Sequence, residues 1–139
     1  MIASKYFIDS APFIYIIEDH PEFYTKTFDF IDKASSEDVE FYTSVLSISE
    51  FCVGPEKSER NDLIIKFEDF LNKLDFNINV ISIKIAKASA KLRAKYSFLK
   101  GMDALQIASA LEMNCELFLT NDKRLKEIEE LKVVLISSL

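Results

Sequence analysis

Apolar positions along this chain fall into two kinds of segment, and the two alternate. Five segments are short and nearly continuous: Tyr6 to Ile8, Glu40 to Thr43, Ile78 to Ile81, Leu117 to Thr120 and Val133 to Ile136. Most lack strict in-out alternation, the pattern of strands covered on both faces. Between them the apolar residues recur with helical period. Pro12 suits the first turn of a helix through Phe13, Ile16 and Ile17, and His20-Pro21 marks its end. Phe23, Phe28, Phe30 and Ile31 belong to a second helix, and Ser47 to Val53, Asn61 to Leu71, Ile83 to Tyr96, Asp103 to Met113 and Lys123 to Glu130 supply the others. Strands separated by helices need crossover connections. The pattern therefore predicts an α/β fold: a single three-layer domain over residues 1–139, with a central, mainly parallel five-stranded sheet flanked by helices.

Composition changes this picture mainly by what is scarce. The chain has 139 residues, 49% of them hydrophobic, enough for one core without disulfide or metal staples. Its only glycines, Gly54 and Gly101, cannot write a GxGxxG or Walker A loop. His20 is the sole histidine, which rules out a zincin pair, and it reads simply as a polar residue ending a helix. Cys52 and Cys115 form no CxxC and suit small buried hydrophobes in a reduced, cytoplasmic protein. The stretch Met1-Ile2-Ala3-Ser4-Lys5 has no long apolar core, and nowhere do eighteen apolar residues run together, so no membrane is expected. The chemistry is left to carboxylates, hydroxyls, amides and bases.

In an open parallel sheet, ligands gather beyond the carboxyl ends of the strands, where strand order reverses. Asp9 closes the first apolar run, and Asp122 follows the fourth. Glu50 lies in Ser47-Ile48-Ser49-Glu50-Phe51, and Asp103 opens Ala104-Leu105-Gln106-Ile107-Ala108. Each stands among apolar residues, where an unpaired carboxylate is costly and calls for a donor, a cation or a metal. Each also has a plainer reading. Ser47 to Glu50 has the form of a capping box, Asp103 to Gln106 is the same pattern with Asp as N-cap, and Asp9 and Asp122 suit helix caps as well. Capping accounts for the four positions one by one, but not for all four lying at sheet-end, helix-start junctions able to converge. Converging carboxylates without His or Cys favour magnesium or manganese, and such a site suits attack at phosphorus.

The net charge of −6 conceals a division. Residues 1–70 hold 15 acids and 6 bases, whereas residues 71–139 hold 8 acids and 11 bases. On a helix over Ile83 to Tyr96, Lys84, Lys87, Lys91 and Lys95 form one stripe, and Lys100 and then Asp103 follow. Such a stripe is often only a solvated face. Its approach to an acidic site favours a track for a phosphate backbone, with Lys91, Lys95, Lys100, Lys123 and Arg124 as the residues expected to contact it.

At these positions the chain resembles the PIN-domain nucleases, especially the VapC-like toxin ribonucleases of toxin-antitoxin pairs. Tyr6-Phe7-Ile8-Asp9-Ser10 is similar to that family's opening strand and Asp-Ser/Thr, and Ser47-Ile48-Ser49-Glu50-Phe51 to its second motif. Lys100-Gly101-Met102-Asp103-Ala104-Leu105-Gln106-Ile107-Ala108 resembles the third, and Phe118-Leu119-Thr120-Asn121-Asp122 the fourth. The segment from Cys52 to Phe76 matches nothing diagnostic. The resemblance implies a strand order of 3-2-1-4-5 and metal-dependent RNA hydrolysis by a homodimer, held in check by a cognate antitoxin. It implies Asp9 and Asp103 as the principal magnesium or manganese ligands, Glu50 and Asp122 completing a catalytic acidic cluster, and Ser10, Thr120 and Asn121 supporting it. Two other readings compete. In a non-catalytic RNA- or protein-binding module the acids would only cap helices, and a small-molecule phosphatase would show a closed pocket. A phosphoacceptor receiver domain would need paired acids after its first strand, and Asp9 stands there beside Ser10.

Overall fold

Strand β1 (Lys5–Ile8) occupies the middle of a five-stranded sheet whose order is β3-β2-β1-β4-β5, as the resemblance implied. All four strand pairings are parallel. The structure, a computed structural model, describes residues 3–139; Met1 and Ile2, which begin the N-terminal stretch and the 1–139 span discussed above, lie outside them. From β1 the chain passes through helices α1 (Ser10–Ile17) and α2 (Tyr24–Ser36) to β2 (Glu40–Ser44). It then continues through α3 (Val45–Lys57) and α4 (Asn61–Lys73) to the edge strand β3 (Asn77–Asn79). Helices α5 (Ile83–Lys95) and α6 (Gly101–Glu112) carry it back across the sheet to β4 (Leu117–Thr120), and a short 3-10 turn over Lys123–Glu127 leads to β5 (Lys132–Leu135). A last 3-10 turn spans Ile136–Ser138.

Pleating divides the strand side chains between two cores. Phe7 and Phe118, in register on β1 and β4, stack at 5.2 Å with nearly parallel rings on the face covered by α5 and α6, beside Ile85, Leu92, Ile107 and Ala108. Ile8, Leu117 and Leu119 point the other way, into a core shared with α1 to α4. The middle segment that matched nothing diagnostic supplies much of that second core. Phe67 of α4 is stacked on Phe51 of α3 at 4.1 Å and meets Phe13 of α1 edge-on at 5.1 Å. Aromatic pairs of this kind add to their area of burial. The two cysteines are free thiols; burial pushes the Cys115 thiol up to about 12, in keeping with an inert core residue.

Four expected elements differ from those observed. The third apolar run forms a strand only over Asn77–Asn79, because it pairs on one side alone, with Tyr42 to Ser44 of β2. Past that pairing Val80 is 71% exposed, while Ile81 packs partly buried against the core. The helix expected over Lys123 to Glu130 is a five-residue 3-10 turn, since the chain buries Leu125 and must reach the start of β5 by Lys132. The helices expected to begin at Ser47 and Asp103 begin earlier, at Val45 and Gly101, with consequences for the acids described below. Among the described residues no helix is long and apolar enough to cross a membrane.

The Phe7–Phe118 stack joins the strands on which the acidic ends stand. Phe118→Ala is expected to cost about 3–5 kcal/mol, read as a lowered urea midpoint with unchanged denaturant slope. A loss under about 1 kcal/mol would show that the stack does not hold β1 against β4.

Candidate active site

Strand order reverses between β1 and β4, and the crevice beyond their ends is built around Asp9. The backbone ladder runs one residue past β1, with Asp9 N–H donating to the Leu119 carbonyl at 3.0 Å, so the Asp9 side chain emerges at the seam. Its Oδ1 accepts from the Ser10 amide at 2.9 Å and from Gln106 Nε2 at 3.2 Å, and its Oδ2 accepts from the Thr120 hydroxyl at 2.8 Å. Thr120 is fully buried and also accepts from the Asp122 amide at 3.2 Å, so one hydroxyl fixes both strand-end acids. Burial nevertheless outweighs these donors. Desolvation is the largest influence on Asp9, and with the nearby Glu50 charge it raises the carboxyl to about 6.

Gln106 was legible only as the last member of a suspected capping box, and the structure gives it a larger part. It is 4% exposed and fully satisfied: Nε2 donates to Asp9 and, at 2.7 Å, to Ser47 Oγ, while Oε1 accepts a short hydrogen bond from Ser44. Thr43 Oγ1 donates to the Ile8 carbonyl and lies 2.8 Å from Ser47 Oγ, within hydrogen-bonding distance. A polar network therefore joins the ends of β1 and β2 to the first turns of α3 and α6. The signal for it in the sequence is a lone amide among Ala104, Ile107, Ala108 and Ala110, all of which are buried.

Two of the acids are not caps, because their helices start earlier than the sequence suggested. Ser44, the last residue of β2, caps α3 by accepting from the Leu46 amide at 3.1 Å, and the strand passes into the helix without a loop. Glu50 is therefore well inside α3, where its Oε2 accepts from the Ser10 hydroxyl at 2.5 Å. Helix α6 starts from Lys100, which makes no side-chain cap. Asp103 then lies in the first turn, where the helix dipole favours an anion, and its only cation within 4 Å among the described residues is Arg124, at 3.6 Å. Burial pushes the Asp103 carboxyl up, followed by the charge of Asp122, with Glu50 adding to it; Arg124 and Lys100 only partly oppose this. Asp9 and Asp122 do cap, Asp9 through the Ser10 amide and Asp122 through the Arg124 amide. Hydrogen bonds from the Arg124 guanidinium hold the Asp122 carboxyl below its usual range.

The four acids are thus linked electrostatically, Glu50 acting on both Asp9 and Asp103, and Asp122 on Asp103. The supporting residues divide. Ser10 and Thr120 touch the carboxylates, but Asn121 donates to the Tyr15 hydroxyl at 3.2 Å and accepts from the Ser137 amide at 3.0 Å, tying the end of β5 to α1. Among the expected RNA-binding residues, Arg124 contacts the acids and Lys100 lies close enough to influence Asp103 and Asp122. Lys95 pairs with Glu130 at 3.3 Å, and Lys84, at the other end of the stripe, with Glu112 at 3.0 Å, so both ends of the stripe are neutralised. Lys91 and Lys123 are exposed without an ion pair among the described residues. Arg93 was not singled out, yet its guanidinium lies against the start of α6, about 4.0 Å from where a Cβ on Gly101 would stand. His20 makes a local turn, accepting from the Glu22 and Phe23 amides at 3.1 Å.

The donor set is oxygen-only and short of positive charge, which fits a hard divalent cation. Among the described residues no three Asp, Glu, His or Cys side chains close on a metal position as they stand; Glu50 accepts from Ser10, and Asp122 is paired with Arg124.

Comparison with known proteins agrees with this fold. A family model described as PIN domain matches residues 6–131. No curated protein sequence matches the chain significantly. Among solved structures, the chain is similar to VapBC2 from Rickettsia felis bound to a promoter DNA fragment (TM-score 0.77, 20% identity, covering 94% of this chain and 98% of that one). It is also similar to a toxin-antitoxin complex from Klebsiella pneumoniae (0.73, 24%, 94% and 96%). A third is VapC20 of Mycobacterium tuberculosis, described as a Sarcin-Ricin loop cleaving toxin (0.70, 8%, 91% and 98%).

The raised Asp9 carboxyl has a definite sign for stability. The folded protein holds this proton more tightly than the unfolded chain, so the contribution is complete below the ordinary Asp range near 3.8 and is lost as pH rises through about 6. Asp9→Asn is therefore expected to stabilise the metal-free protein at pH 7.5 by roughly 1–2 kcal/mol, and by less at pH 4.5. Urea unfolding at the two pH values measures the difference. A variant less stable than wild type at pH 7.5 would mean that hydrogen bonding to the carboxylate outweighs its desolvation.

Proposed function

The chain belongs to the PIN domain family, and on that premise we propose that it is a metal-dependent endoribonuclease and the toxin of a type II toxin-antitoxin pair. The observation that supports the reading is that Asp9, Glu50, Asp103 and Asp122, from four separated segments, lie near enough to influence one another at the end of the sheet where its order reverses. Helix capping accounts for Asp9 and Asp122 but not for Glu50, inside α3, or for Asp103, which is not the cap of α6.

In this reading Asp9 and Asp103 hold magnesium or manganese, with Glu50 and Asp122 completing the site. When bound, the divalent cation supplies Lewis acidity toward the phosphoryl oxygens and makes water a better nucleophile near neutral pH. The chain's own residues do the positioning. Thr120, Gln106 and the Ser10 amide fix Asp9, while the Ser10 hydroxyl holds Glu50. Lys100, Arg124, Arg93 and the exposed Lys91 and Lys123 offer positive charge to the RNA backbone on the sides of the acidic crevice, with Lys95 available when it leaves Glu130. Partners are an RNA substrate, a cognate antitoxin and a second copy of this chain in a homodimer, all within the cytoplasm. The similar fold of solved toxin-antitoxin complexes supports the antitoxin assignment.

Purified wild-type protein is expected to cleave an RNA pool only with added magnesium or manganese, and Asp103→Asn to lose that cleavage by at least about a hundredfold. Circular dichroism and the urea midpoint should show Asp103→Asn folded, and mapped product ends would reveal the target sequence. Undiminished cleavage by folded Asp103→Asn, or cleavage that persists in chelator, would sink the assignment.

A further inference from the structure

Arg124 is the one guanidinium seated among the acids, and its contacts cover more than its sequence neighbour. Its Nη2 lies 2.7 Å from Asp122 Oδ2 and its Nε 3.1 Å from Asp122 Oδ1, a two-point grip on a carboxylate. The same Nη2 is 3.6 Å from Oδ2 of Asp103, which the chain brings in from α6. One side chain thus spans two acids from different elements. A guanidinium only donates and cannot lose its proton, so it serves such a pair as a fixed positive charge. Its side chain is also 48% exposed, and the whole grip rests on one flexible arm, so leaving costs little.

We propose that Arg124 is an internal counter-cation that a divalent metal must displace from Asp122 and Asp103. This inference rests on the metal-site reading above. While Arg124 is seated, both Asp122 oxygens are taken and the carboxylates do not close on a metal position. Its departure frees those oxygens and leaves a tethered guanidinium at the rim, within reach of a substrate phosphate. Arg124 is accordingly a positioning residue that weakens metal binding, so that the site fills only above a threshold of free metal. A purely local surface ion pair between residues 122 and 124 would have no such effect beyond its charge.

The test uses manganese alone, titrated into metal-free full-length protein and followed by the electron paramagnetic resonance of the free ion. Arg124→Gln is expected to bind roughly fivefold tighter than wild type, since a competing ion pair is removed. Lys100→Gln removes the same charge from a residue that influences both acids without contacting them, and should tighten binding by less than about twofold. Arg124→Lys, which keeps the charge and loses the two-point grip, should fall between wild type and Arg124→Gln. In parallel, the Arg124 Nε–H resonance should move when magnesium saturates the protein. Equal affinities for Arg124→Gln and Lys100→Gln, or an Nε–H resonance unmoved at saturation, would overturn the inference and leave the metal site standing. No manganese binding by wild type or by Arg124→Gln would overturn the inference together with the metal-site reading.

Discussion

A carboxylate held at the seam of the two central strands governs how the rest of the crevice is arranged. Asp9 is placed there by the backbone ladder of β1 and β4 and gripped by an amide, a hydroxyl and a side-chain amide from three directions. Those donors reduce the cost of taking it out of water without removing it, and the carboxyl remains raised. The polar network that supports it also starts α3 through Ser44 and reaches into α6 through Gln106. Chemistry and architecture therefore share their hydrogen bonds. A change to Gln106 would disturb an acid, the start of α3 and the end of β2 together.

Around this fixed centre the remaining acids are held less firmly. Glu50 reaches in from an exposed position on α3, Asp103 stands on the first turn of α6, and Asp122 turns back over its own 3-10 turn. Their mutual repulsion is offset by one guanidinium and a nearby lysine. A buried, immobile ligand surrounded by adjustable ones is a reasonable design for a site that must take up a cation and yield to a phosphodiester. Only four of the chain's 23 acids lie here, so a cation at the site would offset a small part of the −6 balance.

The architecture was legible because strand and helix segments alternate cleanly, and the crevice was legible because open parallel sheets place ligands at strand ends. What remained hidden depended on contacts between distant residues. Helix starts were misplaced at Ser47 and Asp103 because a capping box is a local pattern, whereas the hydroxyl of Ser44 and the buried side chain of Ser47 answer to Gln106, about sixty positions away. The run around Ile78 looked like an interior strand because apolarity does not distinguish an edge from a centre, and Val80 is largely exposed. The lysine stripe looked free because its acidic partners, Glu112 and Glu130, lie beyond the basic segment. Gln106 carried a visible mark, an amide on an otherwise apolar helix face, but its partners were visible only in the fold.

The central claim is that a carboxylate desolvated at the strand seam is kept there to bind a divalent cation. Thermal unfolding against magnesium concentration tests it most directly, because a ligand that binds only the folded state stabilises it by an amount growing with the logarithm of its concentration, about 2.7 kcal/mol at a hundredfold excess over the dissociation constant. Wild-type protein should show a steadily rising Tm, and Asp9→Asn, whatever its starting stability, should show none. A rise of equal slope in both proteins, or no rise in wild type, would contradict the account.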